Sequence, residues 1–164
     1  MIFVCTKFTV MKLTSFLIEA HIFRQSQNGD LEFLLLKRAE DEKYPGIWQM
    51  VTGSIKKSET AFQTAVREIK EETGLVPKKL WVVPNVNSFY EPVNDYLCMV
   101  PVFAALVEYN SNVTVSTEHT EYKWANLDET KKLLAWKGQR VSVDTIHEYF
   151  TKERSFLNFV EIKL

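Results

Sequence analysis

Between Thr60 and Gly74 the chain encodes a helix whose two faces need opposite surroundings. Phe62, Ala65, Val66 and Ile69 recur at helical spacing and make one apolar face. Thr60 and Gln63 form a capping box at its start, and Gly74 stands where a C-terminal cap glycine belongs. Glu68, Glu71 and Glu72 lie at i, i+3 and i+4, within an arc of about 100° that is centred about 110° from the apolar face. Such a helix must lie on an apolar layer and send its carboxylates along that layer's edge.

The rest of the chain supplies the layer. Leu13 to Phe23 and Leu31 to Lys37 read as strands around the turn Ser26-Gln27-Asn28-Gly29-Asp30. After a break at Pro45-Gly46 a short strand spans Trp48 to Thr52. Leu80 to Asn87 and Tyr96 to Glu108 are strands in which Pro84 and Pro101 mark edges or bulges. Val113 to Thr117 and Tyr122 to Trp124 are shorter strand candidates. Asn126 caps a helix from Leu127 to about Trp136, with Glu129 completing a capping box, and a last helix runs from about Ser142 to Lys152. Strands and helices mix without a regular βαβ rhythm, so the expected class is α/β (α+β), a mixed sheet flanked by helices.

The 164 residues suit one domain, residues 11–164, with 1–10 as an N-terminal extension and Met11 as an alternative start. With 46% apolar residues a full core forms without staples. A net charge of -1 argues against a duplex nucleic-acid binder but not against a nucleotide substrate. Cys5 and Cys98 form no disulfide framework, which points to a reducing, cytoplasmic setting. Lys7 and Lys12 interrupt the apolar start, so neither a membrane span nor a targeting segment is expected.

Three carboxylates packed so closely repel one another, and Glu71 and Glu72 sit at the helix end where the macrodipole disfavours negative charge. Alone, such a run reads as a solvated acidic face with Arg67 and Lys70 as local partners. A divalent cation would remove the penalty, and clustered carboxylate oxygens suit hard Mg²⁺.

The spacing decides between these readings. Gly53, Glu59, Arg67, Glu68, Ile69, Glu71, Glu72, Gly74 and Leu75 resemble the Nudix box, G-x5-E-x7-R-E-U-x-E-E-x-G-U with U a bulky apolar residue, at every specified position. A chance match is well below about one in a million from average residue usage. The resemblance implies an α/β/α sandwich in which a loop-helix-loop holds Mg²⁺ or Mn²⁺ for hydrolysis of a pyrophosphate linkage. It makes Glu68, Glu71 and Glu72 metal ligands, and Glu59 the loop acid that pairs with Arg67. Glu68, Glu71 or an acid outside the box serves as general base. Thr117-Glu118-His119-Thr120-Glu121-Tyr122-Lys123-Trp124 resembles the segment that often adds a fourth carboxylate. Glu118 is the first choice there as ligand or base, Glu121 the second, and His119 reads as a structural or surface residue. Three departures stand out: Thr52 and Ser58 where glycine is common, and Lys56 where glutamate is frequent.

Short segments around Trp48–Ser54 and Thr117–Trp124 resemble the dihydroneopterin triphosphate and dATP pyrophosphatase branch. That implies a nucleoside or pterin triphosphate cut to a monophosphate and pyrophosphate. Arg38 and Lys12 offer phosphate contacts, and Thr52 a backbone or hydroxyl contact. Trp48, Phe89 and Tyr90 are candidates to hold a flat ring. Tyr90 lies near the tyrosine of diadenosine polyphosphate hydrolases, the runner-up activity. A Nudix-fold regulator without turnover is the alternative from another class, and a homodimer is left open.

Overall fold

The computed structural model describes residues 11–164. Cys5, Lys7 and the proposed extension over residues 1–10 lie outside the described residues.

Among the described residues nine strands form one mixed sheet. They are β1 (Lys12–Thr14), β2 (Leu17–Gln25), β3 (Leu31–Arg38), β4 (Trp48–Gln49), β5 (Val51–Ser54), β6 (Lys79–Glu91), β7 (Tyr96–Leu106), β8 (His119–Ala125) and β9 (Glu161–Ile162). The helices are α1 (Ala61–Thr73), α2 (Leu127–Leu133), α3 (Lys137–Thr151) and α4 (Leu157–Val160), with a 3₁₀ turn at Arg154–Phe156. β7 runs parallel to β1 and β2, and the other pairings are antiparallel.

Strand alternation sorts the core into two layers. Ile18, Ala20, Ile22, Leu34 and Leu36 join Ala65 and Ile69 of α1 on one face of the sheet. Phe23, Phe33, Leu35, Trp81 and Val83 join Val143 and Ile146 of α3 on the other. The sheet is thus sandwiched between α1 and the α2–α3 pair. Among the described residues no helix is long and apolar enough to cross a membrane.

The expected capping box of α1 is present, and Gly74 closes the helix at φ 70°, the left-handed cap that glycine adopts without strain. Pro84 falls in the register shift between Val82 and Val86, and Pro101 pairs with Val86 beside it, as the bulge reading required.

Several expectations are corrected. Leu13–Phe23 is two strands, because β1 ends at Thr14 and Ile55 N–H takes the Phe16 carbonyl (2.8 Å) at the break. Val113–Thr117 is not a strand. Its Thr114 and Ser116 N–H groups instead bond the Thr73 and Glu72 carbonyls (2.9 and 3.0 Å), satisfying the buried C-terminal end of α1. β8 begins earlier than Tyr122, at His119. Asn126 caps α2 through the Glu129 N–H, but the reciprocal half of the box is missing because the Glu129 carboxylate takes Lys123 at 2.7 Å. α2 stops at Leu133 rather than near Trp136, and α3 starts at Lys137 rather than Ser142. Arg140 makes that early break tenable by bonding the Leu134 and Ala135 carbonyls at 2.6 and 3.0 Å.

Candidate active site

The acidic end of α1 packs against β5 and the start of β8. Going round the helix, Glu72 lies about 70° from the centre of the apolar face, Glu68 about 110° and Glu71 about 170°. Burial follows that order: the side chains are 5%, 15% and 53% exposed. The same helix therefore turns one glutamate into the sandwich, leaves one partly buried and sends one to solvent.

Glu72 carries the largest electrostatic strain. Burial, then the charges of Glu118 and Glu68, push its carboxyl up to about 9, against a bond from the Thr52 backbone. Its Oε2 is buried without a hydrogen-bond partner. His119 Nε2 stands 3.7 Å away, too far for a hydrogen bond. Glu68 is also shifted upward, chiefly by desolvation. Its side chain lies so close to Gly53 that a Cβ there would come within 2.2 Å of Glu68 Cγ. Only glycine allows this approach.

Arg67 ties the preceding loop to the helix. Its Nε and Nη2 donate to the two oxygens of Glu59 at 2.8 and 2.9 Å, a bidentate pair, and Nη2 also donates to the Ser54 carbonyl. The guanidinium holds the Glu59 carboxyl down to about 2, and Glu59 raises the arginine's own value. Arg67 Nη1 lies between Glu68 (2.7 Å) and Glu71 (2.9 Å).

The structure therefore brings Glu59, Arg67, Glu68 and Glu71 into one ionic cluster, and places Thr52 and Glu118 beside Glu72. It does not gather all three box glutamates around one point. Among the described residues no three acidic, histidine or cysteine side chains are grouped to hold a metal ion as they stand. The reason is local: Arg67 draws Glu71 outward while the apolar face draws Glu72 inward. The donor chemistry nevertheless fits a hard dication. An unpartnered, buried carboxylate oxygen lies within the field of two further carboxylates, Glu68 and Glu118.

Arg38 also faces this region, since its charge acts on both Glu72 and His119. Its Nη2 binds Glu42 at 2.7 Å and its Nε is buried without a partner. Lys12 sits on β1 opposite Tyr96, and Tyr90 donates to Asp95 at 2.9 Å in the β6–β7 hairpin. Among the described residues no hydrogen bond or ion pair joins Lys12 or Tyr90 to the carboxylates. Glu121 is bound to Lys37 at 2.6 Å.

Two residues around Glu72 escaped the sequence reading in kind or degree. His119 is 4% exposed, and burial, with help from Arg38, lowers its imidazole to about 4, so it is neutral at pH 7. Gln49, 6% exposed, places its side-chain amide 3.5 Å from His119 Nε2. The signal for His119 was its place directly after Glu118, with Tyr122 and Trp124 continuing a strand. For Gln49 the only signal was a polar residue between Trp48 and Met50.

A glycine-flanked loop leading into an acid-bearing helix, laid on the mixed sheet of an α/β/α sandwich, defines the class: the Nudix fold. The NUDIX domain family model matches residues 18–146. The chain belongs to the Nudix family and is a hydrolase acting on phosphoric anhydride bonds. The mouse bis(5'-nucleosyl)-tetraphosphatase [asymmetrical] is 26% identical over 134 residues, 79% of this chain and 87% of that protein. The dihydroneopterin triphosphate diphosphatase of Escherichia coli (strain K12) aligns at 54% identity over 126 residues, 65% of this chain and 77% of that protein. Superposed as a structure, the E. coli dihydroneopterin triphosphate pyrophosphohydrolase gives 24% identity and a TM-score of 0.64, covering 81% of this chain and 96% of that one. A Nudix hydrolase structure from Listeria monocytogenes covers 85% of this chain and 97% of its own at 23% identity and a TM-score of 0.73.

Proposed function

We propose that this chain cleaves a nucleoside or pterin triphosphate to a monophosphate and pyrophosphate, with Mg²⁺ or Mn²⁺ as cofactor. The observation that carries this reading is the buried Glu72 carboxylate, its Oε2 unpartnered, beside Glu68 and Glu118. Such a group is costly unless a cation completes it. Glu68, Glu72 and Glu118 would hold the dication. When bound, it neutralises phosphate oxygens and stabilises charge on the departing phosphate. Glu71, drawn to Arg67, completes the salt-bridged frame and reaches the metal only by leaving that frame. Where Glu118, exposed beside Glu72, is not a ligand it serves as base, accepting a proton from the attacking water as the water's oxygen bonds to phosphorus and the bridging P–O bond breaks. Thr52 supports Glu72 through its backbone N–H, and Arg38 approaches the phosphates from β3. The kinship with the E. coli pyrophosphohydrolase supports the triphosphate class.

A second reading has its own observation. The mouse tetraphosphatase is similar over most of both chains, which favours a dinucleoside polyphosphate substrate. Incubation with Mg²⁺ and a panel of nucleoside triphosphates, dihydroneopterin triphosphate, dinucleoside tetraphosphates and nucleotide sugars separates the two. Pyrophosphate plus monophosphate from a triphosphate supports the first. Preferential splitting of dinucleoside tetraphosphates replaces it with the second. No turnover of any substrate, with EDTA-insensitive baselines, defeats both and leaves a regulator without turnover.

A further inference from the structure

We infer that Lys56 is a substrate-binding residue of this chain, contacting the phosphate chain from the exposed side of the Glu68 and Glu71 carboxylates and favouring substrates with more phosphate charge. The inference rests on the phosphoanhydride reading above.

The backbone of Lys56 is fixed while its side chain is 60% exposed. Its N–H donates to Glu59 Oε2 at 3.3 Å, and the Glu59 N–H returns a bond to the Lys56 carbonyl at 3.0 Å. Glu59 is in turn clamped by Arg67, so the turn carrying Lys56 is anchored to α1. Ser58 adopts φ 73° within that turn. The left-handed conformation is unfavourable for serine, and the chain holds the turn despite that cost.

The ammonium group stands where the negative charge is densest. Nζ lies 3.9 Å from Glu71 Oε1, and its charge acts on Glu68. That ion pair does not explain the lysine. At the outer limit of pairing distance, with the two side chains 60% and 53% exposed, it contributes little to stability. The neighbouring cations already carry carboxylate partners. Arg67 is shared among Glu59, Glu68 and Glu71, and Arg38 is bound to Glu42 and 14% exposed. A polyanion approaching these carboxylates meets in Lys56 an exposed ammonium donor on a fixed turn.

The test measures binding of inorganic pyrophosphate with Mg²⁺ by calorimetry, together with steady-state kinetics on a hydrolysed triphosphate. Wild type is compared with Lys56→Gln, Lys56→Glu, Lys56→Arg and Lys57→Gln, each checked for melting temperature. A local contact predicts about tenfold weaker pyrophosphate binding and a similarly raised KM in K56Q, with a smaller change in kcat. K56E should lose more, and K56R should stay near wild type. K57Q removes the same charge one residue away on the exposed turn, so it reports the general field and should change binding by less than about threefold. Pyrophosphate binding in K56Q within twofold of wild type overturns the inference, as does an equal loss in K57Q. Failure of the underlying reading looks different: no panel substrate is cleaved, while the pyrophosphate comparison still reads Lys56 directly.

Discussion

At the scale of single residues, Glu72 is kept at a cost. Its carboxyl is buried, holds a proton up to about pH 9 and leaves one oxygen unpaired. A residue placed for stability alone would be apolar or paired here. The sign of the linkage follows. In the unfolded chain the group ionises near its ordinary value of 4.5, but in the fold only near 9. Between these values the folded state binds the extra proton, so stability falls as pH rises through that window. Glu72→Gln removes this titration. In EDTA the variant should therefore melt above wild type, by a margin that widens from pH 5 to pH 9, while Mg²⁺-supported turnover falls at least about a hundredfold. A melting difference that stays flat across the pH range would show that Glu72 is solvated, and retained turnover would remove it from the site. Much of this was legible beforehand. Helical geometry alone ranks Glu72, Glu68 and Glu71 by distance from the apolar face, and their burial follows the ranking. What the helix cannot reveal is what lies opposite. Gln49 and His119 arrive from other strands, and their local patterns mark them as polar strand positions without signalling that they meet.

At the scale of elements, the loop and α1 act as one unit through a single guanidinium. Arg67 spans Glu59, Ser54, Glu68 and Glu71, so its removal unfastens the loop from the helix and releases two carboxylates at once. Arg67→Ala should lower kcat/KM by at least tenfold and the melting temperature by several degrees, measured by triphosphate turnover and thermal unfolding. Arg67→Lys should rescue only part of either, since an ammonium cannot make the bidentate pair. A normal melting curve with normal kinetics would mean that Glu59 holds the loop unaided. The elements legible in sequence were those with their own punctuation: α1 between its capping box and Gly74, β2 and β3 around a glycine turn, and the bulge at Pro84. The missed boundaries were set by partners. Val113–Thr117 has strand-like residues, but its N–H groups are taken by the end of α1. The two-residue β9 exists only because β6 offers an edge at Leu80 and Trp81.

At the scale of the molecule, the sandwich is joined across its α3 face by a polar cluster that no local pattern foretold. Glu19 and His21 of β2 point toward α3, 2.7 Å apart and nearly fully buried. Asn87 of β6 donates to both Glu19 oxygens at 2.9 Å and to Ser142 of α3 at 3.2 Å. Gly138 lets the first turn of α3 come down on it: a Cβ there would meet Asn87 Oδ1 at 2.4 Å. The same region of β2 adjoins the carboxylate edge, since Glu19 is in register with Thr52, whose backbone favours the charged form of Glu72. Asn87→Ala strips a buried carboxylate of the one amide nitrogen that reaches both its oxygens, a loss of roughly 1–3 kcal/mol, which at this chain length is a fall of several degrees in melting temperature. Gly138→Ala alone should also destabilise, because the new methyl must displace Asn87 or lift α3. Combined with Asn87→Ala, the same methyl has no amide to strike and gains helix propensity, so the double variant should be no less stable than Asn87→Ala. Thermal unfolding of the four proteins measures this coupling. Strictly additive losses would mean that α3 is seated by Val143 and Ile146 alone and that the polar cluster is a passenger. A recovered double variant would identify the Gly138–Asn87 contact as the point that sets how closely α3 approaches the sheet.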